Sequence, residues 1–150
     1  SPAPSSPPPT TAPTTTIDPQ TEVVARLREI LRVRDQALLK RNAGLLDDIY
    51  TVDCNCLQDG RTAIRRLRQE RIFWKGLSTR LTVQQIERVN DRLWVITGVL
   101  STAAVRIENE LGELVRVIPP ERNRPRFAVA KPLDVNAWLL GHVSLLNEGG

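Results

Sequence analysis

The 150-residue sequence holds two cysteines, one histidine and one tyrosine, and their placement limits the chemistry open to it. Cys54 and Cys56 are separated by a single residue. In an extended segment both would point to one face, with their Cα atoms close to the upper limit for a disulfide, so a bond requires a local kink. Two readings stay open, a disulfide formed in an oxidising compartment and a pair of buried, inert thiols. A metal site is not expected, because two cysteines and the distant His142 leave a four-ligand set incomplete. Nothing at this spacing marks Cys54 as an activated thiolate.

Two arginines stand out on helical wheels. In the first predicted helix Val23, Leu27, Ile30, Leu31 and Leu38 form an apolar arc of about 140°, and Arg34 falls near its centre. In the third, Ile64, Leu67 and Trp74 mark the buried side and Arg71 falls between Ile64 and Leu67. A buried, unpaired charge costs several kcal/mol. Each guanidinium must therefore reach water, pair with a carboxylate such as Asp53 or Glu108, or await an anion. His142 alternates with Leu140 and Trp138, which puts it on their face. As a general base it would need an orienting carboxylate, and the sequence shows none beside it; Tyr50 and Asp53 are close together at the end of the second helix, where Tyr50 can simply cover the core. No catalytic pair emerges.

The elements that must carry these residues follow from period and punctuation. Asp18-Pro19 opens a helix that runs to about Arg41, with Asp as N-cap and Pro in the first turn. Asn42–Gly44 breaks it, Leu45–Tyr50 forms a short second helix, and Thr51–Leu57 is strand-like or irregular. A third helix is expected from Asp59 or Gly60 to about Lys75. Beyond Gly76 the period becomes alternating. Strands are expected at Arg80–Val89, with Gln84-Gln85 as a bulge, and at Arg92–Ser101, apolar on both faces and so central. Val105–Glu108 and Leu114–Ile118 flank an Asn109–Gly112 turn, and Arg126–Ala130 and Ala137–Leu145 follow. Helices first and strands after predict an α+β domain, three helices on one face of a curved antiparallel sheet.

Residues 1–16 consist only of Pro, Thr, Ser and Ala. Such a stretch buries too little to offset the entropy of ordering it, and Pro7-Pro8-Pro9 biases it toward an extended spacer. The expected organisation is a disordered linker or stalk over 1–17, one domain over 18–146 and a flexible 147–150. No apolar run approaches the roughly 18 residues of a membrane span. Any membrane contact would come through an anchor upstream of Ser1. The surplus of 21 basic over 17 acidic residues is small for a nucleic-acid backbone binder, and no recognition motif is present, so nucleic acid is not an expected partner.

The element order resembles the nuclear transport factor 2-like superfamily. The resemblance rests on the long helix, the short helix ending Leu46-Asp47-Asp48-Ile49-Tyr50, the Asp59-Gly60-Arg61-Thr62-Ala63-Ile64 helix and the tryptophans of Arg92-Leu93-Trp94-Val95 and Ala137-Trp138-Leu139-Leu140. The Tyr50–Leu57 segment behind a Pro/Thr-rich lead resembles actinobacterial extracytoplasmic domains, some attached to membrane serine/threonine kinases. The resemblance implies a cone-shaped interior open at one end, with Arg34, Arg71, Tyr50, Trp94, Trp138 and His142 as candidate ligand-binding residues. The uncharged lead, the helix-then-strand order, the lack of a catalytic set and the Cys54/Cys56 pair predict a non-catalytic extracytoplasmic binding, sensing or interaction module of a membrane-anchored or secreted protein, with no cofactor and a small molecule or protein as partner. Two alternatives are a small isomerase or hydrolase using His142, Asp53 or Tyr50, and a domain that dimerises through its sheet face.

Overall fold

A computed structural model of the protein describes residues 18–146. The expected stalk over 1–17 and the C-terminal 147–150 lie outside the described residues. Helix α1 (Pro19–Leu39) begins as its Asp-Pro signal predicts, although the Asp18 side chain makes no capping hydrogen bond. Its buried arc of Val23, Leu27, Ile30 and Leu31 packs into the main core. Burying each such aliphatic side chain is worth about 1.5–3 kcal/mol. The expected second helix is a 3-10 helix over Ala43–Asp48, entered through Asn42, whose side chain accepts from the Gly44 N–H. Helix α2 spans Asn55–Gln69. The predicted three helices are thus two α-helices and one 3-10 helix.

Two boundaries differ from expectation for identifiable reasons. α2 starts five residues before Gly60 because Cys54 acts as its N-cap, the Sγ accepting from the Cys56 N–H at 3.3 Å. It ends before Arg71, which takes a left-handed conformation (φ 54°) with no glycine to announce it. Ile72–Lys75, expected in the helix, is strand β1.

Strands β2 (Thr79–Asn90), β3 (Leu93–Thr102), β7 (Pro125–Ala130) and β8 (Leu139–Leu145) form an antiparallel sheet in that order, with β6 (Glu121–Asn123) paired to the far end of β3. β1, β4 (Val105–Asn109) and β5 (Leu114–Ile118) make a smaller sheet, β1-β4-β5. β3 lies between β2 and β7, which explains its apolar character on both faces. The register of β2 on β3 shifts between Val83 and Gln85, at the predicted bulge. There the strands approach so closely that a Cβ on Gly98 would collide with the Thr82 carbonyl oxygen. The 3-10 helix is tied to the sheet by Leu140, whose N–H donates to Ile49 and whose carbonyl accepts from the Thr51 N–H.

Candidate functional site

Arg34 projects from the centre of the buried arc of α1 into a cavity of about 290 Å³ between α1, the 3-10 helix, α2 and β1. Leu38, Leu46, Ile64, Trp74 and Val143 give it apolar walls. The Arg34 Nε is fully buried and has no hydrogen-bond partner. No carboxylate among the described residues lies within ion-pair distance of its guanidinium. Asp59 also lines the cavity, but from an exposed position. The deeper charge dominates, since a Coulomb interaction strengthens as water is excluded.

The first turn of α2 forms one wall of the cavity through Asn55, Cys56, Asp59 and Gly60. Asn55 holds that turn in place: its Nδ2 donates to the Val143 carbonyl at 3.0 Å and its Oδ1 accepts from the Val143 N–H at 3.3 Å. Cys54 and Cys56 form a disulfide with a Cα–Cα separation of 5.1 Å. The kink this bond requires is the helix start itself, where an extended Cys54 turns into α2. At Gly60 a Cβ would come within 2.8 Å of a Leu46 methyl, so this glycine lets α2 lie close against the 3-10 helix. The N-terminal end of a helix dipole favours an anion, as Arg34 does.

Tyr50 also lines the cavity and is buried. Burial pushes its phenol above the ordinary value of 10.0; Arg34 pulls it back and Asp35 adds to the rise. The hydroxyl therefore stays protonated at neutral pH.

The other predicted residues are dispersed. Arg71 is not on the buried side of a helix but in the turn after α2, with a largely exposed side chain 3.9 Å from Glu110. His142 is exposed and does not share the face of Leu140. The register of β8 on β7 shifts between Ala128 and Val129, so Gly141 is an extra residue that rotates His142 to the far side, opposite Ala128. Trp94 and Trp138 are buried within the main core rather than lining this cavity. Asp53 is exposed and accepts from the Thr51 hydroxyl at 2.7 Å, while Tyr50 is buried. The geometry thus brings Arg34, Tyr50 and Cys56 together and leaves Arg71, His142 and Asp53 outside. Trp74, Asn55 and Asp59 were missed as cavity residues. The apolar spacing places Trp74 on a helix, and a Cys N-cap gives no signal that Asn55 lies in the first turn of α2. Among the described residues no group of three or more His, Cys, Asp or Glu side chains is placed to hold a metal.

No family model matches the chain, and no curated protein matches it. Solved structures do. The intermembrane space region of the chloroplast protein ARC6 aligns with a TM-score of 0.63 at 13% identity, covering 87% of this chain and 97% of that one. A periplasmic fragment of TraM aligns at 0.56 and 10% identity, over 84% and 96%. A nuclear transport factor 2-like superfamily protein from Salmonella enterica serovar Typhimurium aligns at 0.53 and 12% identity, over 85% and 92%. The fold is nuclear transport factor 2-like. At these identities the likeness speaks for the fold alone.

Proposed function

We propose that the chain is a non-catalytic binding module that works outside the cytoplasm, on a membrane-anchored or secreted protein, and takes a small amphipathic anion into the Arg34 cavity. The observation that carries this reading is the buried Arg34 Nε, unpartnered at the edge of an apolar chamber. An anionic head would satisfy the guanidinium, and an acyl or aromatic body would cover Trp74, Ile64 and Leu46. The extracytoplasmic setting is supported by the Cys54–Cys56 disulfide and by the Pro/Thr-rich residues 1–16, which suit a spacer. Two structural neighbours are described as intermembrane-space and periplasmic, which agrees with it. A non-catalytic role agrees with the placement of Tyr50 in the buried cavity while His142 and Asp53 are exposed.

Trp74 provides the readout. Titration with octanoate is expected to change tryptophan fluorescence saturably, octanol is expected to bind at least tenfold more weakly, and Arg34→Leu is expected to remove the preference. Equal binding of acid and alcohol would sink the Arg34 assignment. The setting is tested separately, by thiol titration of denatured, unreduced protein recovered from outside the cytoplasm. No free thiol is expected, and two would refute the bond.

A further inference from the structure

A second arginine-lined site lies on another flank of α1. Arg28 and Arg32 are four residues apart, so they follow one another along one side of the helix, turned away from Arg34. The chain enters β2 across from them through Ser78-Thr79-Arg80. The groove between has a volume of about 430 Å³, with Arg28, Arg32 and Arg80 on its walls and leucines beneath. Asp35 sets its width: the Oδ2 accepts from the Thr79 N–H at 3.0 Å and from the Thr79 hydroxyl, binding the start of β2 to α1.

Two features make this groove a site rather than an ordinary charged surface. The first is uncompensated charge. Arg28 donates to the Leu81 carbonyl at 3.4 Å, while Arg32 and Arg80 have no hydrogen bond or ion pair among the described residues. Like charges gathered across one groove raise the local potential and favour an entering anion. The second is an orphan acceptor. Asp35 is only 6% exposed, lines the groove, and its Oδ1 has no partner. A simple anion would answer the arginines and leave Asp35 unsatisfied. A ligand that carries a hydroxyl beside its anionic group answers both.

We infer that this groove binds a phosphate monoester of a polyol, the phosphoryl group lying between Arg32 and Arg80 with Arg28 beside it and a neighbouring hydroxyl donating to Asp35. A monoester carries close to two negative charges at neutral pH, which matches two unpaired guanidinium forks better than a single carboxylate does.

The test is calorimetric titration of the protein with glycerol 3-phosphate, inorganic phosphate and glycerol in low salt. Glycerol 3-phosphate is expected to bind at least fivefold more tightly than inorganic phosphate, with no binding of glycerol, and its affinity is expected to fall as salt rises. Arg32→Gln with Arg80→Gln together are expected to weaken it at least tenfold, while Arg65→Gln, an exposed charge on α2, leaves it unchanged. Failure of glycerol 3-phosphate to bind overturns the proposal. So does binding that survives the double substitution, or inorganic phosphate binding as tightly as the ester, which would remove the role of Asp35. The octanoate titration reads the Arg34 cavity independently of all these outcomes.

Discussion

The two flanks of α1 set the same side chain in opposite surroundings. On one, Arg34 is drawn into the fold, its Nε sealed from water and facing apolar walls. On the other, Arg28, Arg32 and Arg80 stand exposed around an open groove. None of the four pairs with a carboxylate among the described residues. The difference is solvent. An exposed guanidinium without a partner costs almost nothing because water completes its hydrogen bonds, whereas a buried one costs the desolvation of every unmatched N–H. The cavity flank therefore carries a destabilisation that a ligand would relieve, and the groove flank carries only a potential that would attract one.

The largest expected effect comes from removing the carboxylate that organises the groove. Asp35→Leu breaks both bonds to Thr79, and hydrogen bonds to a charged acceptor are worth about 1.5–3 kcal/mol each. Relief of the unpartnered Oδ1 offsets part of that loss. The expected net destabilisation is about 2–4 kcal/mol, read as a lowered urea midpoint. An unchanged midpoint would mean that the contact between α1 and β2 rests on the leucines and not on Asp35.

Much of this architecture was written locally, and the surprises are where it was not. The start of α1, the Asn109–Gly112 turn and the β2 bulge were all readable from adjacent residues. In the turn the Asn109 side chain accepts from the Leu111 and Glu113 N–H groups, which is the chemistry asparagine signals. The end of α2 was not readable, because an arginine occupies the left-handed position that glycine usually marks, and the apolar spacing continued through Ile72 and Trp74 into a strand. That one hidden boundary misplaced Arg71. A hidden bulge at Gly141 misplaced His142 in the same way, since one extra residue reverses every later side chain in a strand. Arg34 was legible because a helical wheel is local. The groove was not, because Arg80 meets Arg32 only when β2 docks on α1.

A smaller effect of opposite sign separates the flanks directly. Arg34→Leu keeps most of the apolar stem and discards a guanidinium whose Nε is buried and unmatched, so it is expected to raise stability by about 1 kcal/mol. Arg32→Gln alters only a solvated group, and its effect is expected to stay within about 0.5 kcal/mol. Chemical denaturation of the two variants beside the parent checks both. If Arg34→Leu lost as much stability as Asp35→Leu, the guanidinium would be structural and the cavity would not be a binding site.

The smallest effect appears only in alkali, at a group that feels a charge from each flank. Burial holds the Tyr50 phenol above 10.0, Arg34 opposes that rise and Asp35 adds to it. The native state thus keeps this proton to higher pH than the unfolded chain does. The contribution of Tyr50 is fully present below about pH 10 and is lost as pH climbs from there through the raised native value. Tyr50→Phe is expected to remove that part of the alkaline decline while leaving neutral stability close to the parent. Arg34→Leu removes the opposing influence, so the native phenol should ionise at still higher pH and the decline should extend further. Urea midpoints measured from about pH 8 to about pH 11 distinguish these cases. A decline in Tyr50→Phe equal to that of the parent would assign it to another group. A decline in Arg34→Leu that ends at the same pH as in the parent would mean that Arg34 does not bear on the buried phenol, and that its charge faces solvent like those of Arg28 and Arg32.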